Sequence, residues 1–124
     1  MNLNGTALAY IGDSYYEHQI RCHLINKGLT KVNELHKQAT QFTSAKAQAE
    51  IMQFLLNGSQ LTEEEILYYK RGRNQSHPGR KNVSLHTYHE ATGFESLIGY
   101  LQATSPIRAN EIIAMSIQFI EERL

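Results

Sequence analysis

An all-α fold of about six helices is what this sequence predicts, on three observations. Capping residues, glycines and prolines cut the chain into pieces of helical length. Apolar residues inside those pieces recur every three or four positions, and no segment sustains the alternation of a half-buried strand. At 124 residues with ordinary apolar content, the chain fits one domain over residues 1–124 with a real core.

The first helix is predicted from about Thr6, as N-cap, to about Lys27, where Gly28 supplies the helix-ending residue. A shorter helix covers Val32 to Phe42. The Ala-rich stretch "TSAKAQAEIMQFLLNG" opens on capping residues and closes on Asn57-Gly58, so it reads as the third. In "LTEEEILYYKRGR", Thr62 and Glu65 have capping-box spacing and three glutamates suit the positive end of a helix dipole. Residues 74–85, "NQSHPGRKNVSL", carry Pro78, Gly79 and two Asn, and read as a loop. "HTYHEATGFESLIGYLQAT" is the fifth helix, and Ser105 with Pro106 starts the sixth. In that last helix Ile113, Ile117, Ile120 and Leu124 form an apolar stripe.

Lys plus Arg equals Asp plus Glu at 12 each, so global charge selects neither a nucleic acid nor an acidic membrane. Cys22 is the only cysteine; an internal disulfide is excluded and a small buried hydrophobe is expected there. The start lacks a basic signal-peptide region and no run reaches membrane-spanning length. The expectation is a soluble cytoplasmic protein with no membrane partner.

Asp13 is the only aspartate in the chain, and it sits within "ALAYIGDSYYEHQIR". On a wheel of about 100° per residue, Leu8, Ile11, Tyr15 and Cys22 cluster on one side, while Ile20 and Leu24 lie near the angle of Asp13. The carboxylate is thus expected to be partly buried, which is costly unless it is hydrogen-bonded, paired or metal-bound. Glu17, one turn on, could join it or pair with Arg21. A second such carboxylate is Glu95. It borders the stripe Ala91, Phe94, Leu97, Ile98 and Leu101, and Gly99 a turn later removes bulk that would hold another helix away. Two carboxylates on different helices can share a divalent cation, and Mg²⁺ suits oxygen ligands in small number. Interhelix hydrogen bonding by Asp13 accounts for the spacing equally well.

Charge is also uneven along the chain. From Ile66 to His89 there is no acidic residue, while Lys70, Arg71, Arg73, Arg80 and Lys81 are present with His77, His86 and His89. Tyr68, Tyr69, Asn74, Gln75 and Ser76 add stacking or polar groups. This is a candidate phosphate-backbone grip. A solvated face offsetting the three glutamates at 63–65 is the alternative.

Taken together, "LAYIGDSYYE" and "ATGFESLIGYL" resemble the paired signatures of the ribonuclease III catalytic domain, in which a Gly-Asp and a Phe-Glu with Leu-Ile-Gly supply metal ligands. With "HKQATQFTSAKAQAE" and "YYKRGRN" the resemblance is closer to the mini-ribonuclease III branch and spans nearly the whole chain. By position, it implies that Asp13 and Glu95 are the principal catalytic, metal-binding carboxylates. The family pattern has a further Glu four residues before that Asp and an Asp three residues before that Glu; here stand Ala9 and Thr92. Glu17, water or phosphate could fill those places, with Thr92 as a supporting residue.

The resemblance further implies a ribonuclease III-type homodimer cleaving double-stranded RNA by Mg²⁺-dependent hydrolysis, with Mn²⁺ as a substitute. Its products would carry 5′-phosphate and 3′-hydroxyl ends at staggered cuts. No double-stranded-RNA-binding domain is expected, so Lys70, Arg71, Arg73, Asn74, Ser76, His77, Arg80 and Lys81 become the candidate RNA contacts. In this branch the task implied is maturation of the precursor of 23S ribosomal RNA. A noncatalytic RNA-binding or ribosome-associated helical dimer, with Ala9 and Thr92 marking a decayed site, is the competing reading; a purely structural helical module is a third. The six histidines lack zinc-enzyme spacing, and His18, His23 and His36 are expected at the surface or between helices. Tyr10, Tyr15, Tyr16 and Phe94 are expected in the core or a dimer contact. Neither Ser14 nor Cys22 has an activating partner in the sequence.

Overall fold

The computed structural model describes residues 3–75 and 84–124. Within them lie six helices: α1 (Gly5–Asn26), α2 (Val32–Thr43), α3 (Ala45–Asn57), α4 (Glu63–Gln75), α5 (Leu85–Thr104) and α6 (Pro106–Glu121). The described residues contain no strand, and none of their helices is long and apolar enough to cross a membrane.

The helix ends follow local chemistry. Asn4, not Thr6, caps α1: its Oδ1 accepts from the Ala7 N–H at 2.8 Å and from the Thr6 hydroxyl at 2.9 Å, which draws Thr6 into the first turn. Past the other end, Gly28 adopts φ of 99°, which glycine tolerates without a Cβ penalty. Ser44 and Ser84 cap α3 and α5 with their hydroxyls. Ser105 occupies the cap position of α6 but makes no side-chain cap bond; Pro106 alone carries the start. The α4 box forms as its spacing predicts, with the Thr62 N–H donating to Glu65 and the Glu65 N–H to Thr62.

Helix α5 is the axis of the molecule and packs against α1, α3, α4 and α6. Ala91, Phe94, Leu97, Ile98 and Leu101 are all buried, as their spacing predicts. On α1 the buried line is Leu8, Ala9, Gly12, Tyr16, Ile20 and Leu24. The wheel reading therefore needs correction. Ile11 is 39% exposed and Cys22 only partly buried, because the small residues Ala9 and Gly12 let α5 approach along a different face. On α6, Ile113 and Ile120 are buried, Ile117 is partly so, and Leu124 lies exposed beyond the helix end.

Helices α1 and α5 run antiparallel in backbone contact. A Cβ at Gly12 would overlap the Glu95 carbonyl oxygen, and one at Gly99 would overlap the Leu8 carbonyl oxygen. Beside this crossing the Tyr16 and Phe94 rings meet edge to face at 5.0 Å, and the Tyr16 hydroxyl donates to the Phe42 carbonyl at 2.9 Å. At the other end of the bundle, Arg108 of α6 donates to both oxygens of buried Glu65, at 2.8 and 3.0 Å, and to the Gln60 carbonyl. Burial alone would raise the Glu65 carboxyl. The Arg108 guanidinium and the Thr62 N–H outweigh it and hold the group below its ordinary range.

Gly99→Ala should lower the unfolding free energy by about 3 kcal/mol, since backbone cannot yield to an added methyl as a side chain end can; urea denaturation measures it. A carboxyl whose folded pKa is depressed stabilises above its unfolded pKa of about 4.3, and that stability is lost as pH falls through the lower folded value. The wild type should therefore lose stability below about pH 4, and Glu65→Gln should lack that part of the slope in an acid unfolding series.

Candidate active site

Because Gly12 lies against the backbone of Glu95, its neighbour Asp13 stands at the level of Glu95 on the facing helix. Asp13 is exposed, contrary to the expectation of partial burial: the buried line passes through Gly12, and the next residue is turned outward by about 100°. Glu95 is half-buried at the margin of its stripe, as predicted. The crossing thus sets an exposed Asp13 and a half-buried Glu95 at one level on facing helices.

The residues considered for support behave differently. Glu17 pairs with Arg21 along α1 at 3.4 Å. Thr92 is buried and its hydroxyl donates to the Tyr88 carbonyl, while Ala9 is buried against the core. Among the described residues no group of three or more His, Cys, Asp or Glu converges to hold a metal. Two hard oxygen donors are what the site offers. That set fits a cation which keeps several waters and takes its remaining oxygens from a substrate, as Mg²⁺ does, and does not fit an all-protein cage.

The basic segment is built on α4. Lys70 and Asn74 are exposed. Arg71 lies over the Tyr68 ring at 4.7 Å, and Arg73 over the Tyr69 ring at 5.3 Å. Tyr68 stacks on Tyr100 at 3.7 Å, and Tyr69 is buried, so both rings serve the protein's own arginines. Between the arginines, Gly72 allows contact with α5: a Cβ there would overlap Ser96 and come within 2.8 Å of the Thr92 carbonyl. Gln75 closes the end of α4 by accepting from the Gly5 N–H at 2.6 Å. Ser76, His77, Arg80 and Lys81 lie outside the described residues.

Residues 6–106 match the family model of the Ribonuclease III domain. The chain belongs to the ribonuclease III family. A Mini-ribonuclease 3 from Enterococcus faecalis is 53% identical over 122 residues, covering 97% of this chain and 92% of the relative. One from Acholeplasma laidlawii is 49% identical over 120 residues, covering 97% and 96%. A crystal structure of a protein from Fusobacterium nucleatum superposes with a TM-score of 0.83 at 28% identity, covering 93% of both chains. As a member of this family the chain is an endoribonuclease, and ribonuclease III enzymes work with a divalent metal ion.

Several features escaped the sequence reading. Glu90, two residues before Thr92, is buried and accepts from Tyr69 and Gln53. His23 lies 2.8 Å from Glu121 and joins α1 to α6, the interhelix role expected of it, but its partner had no local signal. Tyr10 was expected in the core or a dimer contact; at 80% exposure it is not in the core of the chain.

Proposed function

We propose that this ribonuclease III family member hydrolyses double-stranded RNA, with Asp13 and Glu95 as its catalytic pair holding Mg²⁺, or Mn²⁺ in its place. The observation that carries this reading is the glycine crossing that levels the two residues on facing helices. Held by Asp13 and Glu95, the ion would supply charge stabilisation at the scissile phosphate and would lower the pKa of a bound water, so that its deprotonation yields the attacking hydroxide. Asp13, exposed on α1, leaves room for a phosphate and for water; Glu95 stands half-buried on α5. Lys70, Arg71 and Arg73 bind phosphates along the duplex, which an A-form helix presents by shape rather than sequence. The ends formed are 5′-phosphate and 3′-hydroxyl.

The natural substrate in this reading is a precursor of 23S ribosomal RNA in the cytoplasm, and the working unit is a homodimer. Tyr10, Ile11 and Ile107 support the dimer. Tyr15 donates to Asn110 at 2.7 Å, and His23 meets Glu121 further along, so α1 and α6 run side by side in parallel. One turn before that first contact, Ile11 and Ile107 face solvent with Tyr10, at 39%, 78% and 80% exposure. Such an apolar group on a small protein calls for a cover.

Cleavage of a long end-labelled duplex tests the function. The wild type should cut with Mg²⁺ and not with EDTA. Asp13→Asn and Glu95→Gln should each slow cutting by about 10²-fold or more, with unfolding unchanged. Wild-type rates in either variant would refute the site. A wild type that binds duplex without cutting it would favour the noncatalytic RNA-binding dimer.

A further inference from the structure

We infer that Glu90 is a positioning residue for RNA binding, acting through Tyr69 to fix the Arg73 guanidinium for a phosphate; this rests on the duplex-RNA reading above. Glu90 is 2% exposed on α5. The Tyr69 hydroxyl lies 2.6 and 2.8 Å from its two carboxylate oxygens and donates to them, and Gln53 of α3 donates to Oε1 at 2.7 Å. The ring that makes this bond carries the Arg73 guanidinium on its face. Asn74 accepts from Arg73 Nε at 3.0 Å and fixes a second direction. A chain of contacts therefore runs from the interior of the bundle to a cation on the candidate RNA face.

Stability alone gives little reason for a carboxylate in this place. Well-packed apolar groups of similar volume commonly serve a protein interior as well as or better than buried charge. A carboxylate does something an apolar group cannot: it accepts from the phenol, orients the ring and raises the electron density on the face that Arg73 meets. Burial first, then the hydrogen bond to Glu90, pushes the Tyr69 phenol up to about 12 against the opposing effect of Arg73. Tyr69 thus remains a donor throughout the neutral range. The second arginine is held by a separate device, with Arg71 on Tyr68 and Tyr68 on Tyr100. Both rings are braced by α5, the helix that also carries Glu95, so cation positions and carboxylate are set from one rigid element.

The test is steady-state cleavage of a duplex with Mg²⁺ at several salt concentrations, for Glu90→Gln, Tyr69→Phe, Arg73→Ala and the pairwise combinations with Arg73→Ala. Each single substitution should lower kcat/KM by about tenfold through KM, with kcat held, and reduce the log–log salt slope by about one. In the Arg73→Ala background, Glu90→Gln and Tyr69→Phe should have no further effect. If their losses multiply with that of Arg73→Ala, or if they alter stability alone, the inference is overturned. Should Glu90→Gln fail to fold, Tyr69→Phe and Gln53→Ala carry the same cycle. An Arg73→Ala chain with unchanged kcat/KM overturns this inference while leaving duplex cleavage intact; a wild type that does not cut duplex overturns the functional reading itself.

Discussion

The contact between α1 and α5 at Gly12 and Gly99 is the constraint on which the rest of the molecule depends. Where two helices touch through backbone, neither can slide or rotate without collision, because a carbonyl oxygen occupies the space a side chain would need. The residues beside the contact inherit that precision. Asp13 is displaced from the crossing by one residue and Glu95 is the crossing's own wall, so their relative level is set by backbone rather than by flexible side chains. Such a foundation suits a site that must hold its groups within a fraction of an ångström.

Helix α4 extends the same principle to the basic face. Gly72 seats it against Thr92 and Ser96, and its two ends are fastened by polar contacts of different kinds. At the N-terminal end Glu65 closes a capping box and receives Arg108 from α6; at the C-terminal end Gln75 accepts from the first N–H of α1. Two buried carboxylates thus serve one helix. Glu65 ties its start to α6 through Arg108, and Glu90 receives Tyr69 from its middle. Both are buried, whereas Asp13 is exposed and Glu95 half-buried, so burial sets these two carboxylates apart from the candidate pair.

Much of the fold was legible because the local signals were strong. Ser44, Gly28, the Thr62–Glu65 box and Pro106 mark helix ends through chemistry that acts within a few residues. The α5 stripe was equally plain, and Gly99 announced a close approach. On α1 the reading failed for a physical reason. Its buried line runs through Ala9 and Gly12, which carry little hydrophobic signal, while Ile11 is apolar yet faces solvent beside Tyr10. Weighing residues by apolarity therefore misdirected the wheel and put Asp13 too deep. Gly12 next to Asp13 and Gly99 near Glu95 carried the truer information, since small residues on two helices signal contact between them. Long-range pairs such as Glu90 with Tyr69 or Glu65 with Arg108 are set by tertiary packing and leave no pattern within one helix.

The central claim is that this crossing makes Asp13 and Glu95 one cation site rather than two independent surface carboxylates. Titration of the protein with Mn²⁺, followed by calorimetry or electron paramagnetic resonance, tests it most directly. A binding event is expected that is lost in Asp13→Asn and equally lost in Glu95→Gln, with both variants folded. Retention of wild-type affinity in either variant would mean that the two carboxylates do not share an ion, and the active site would have to be sought elsewhere.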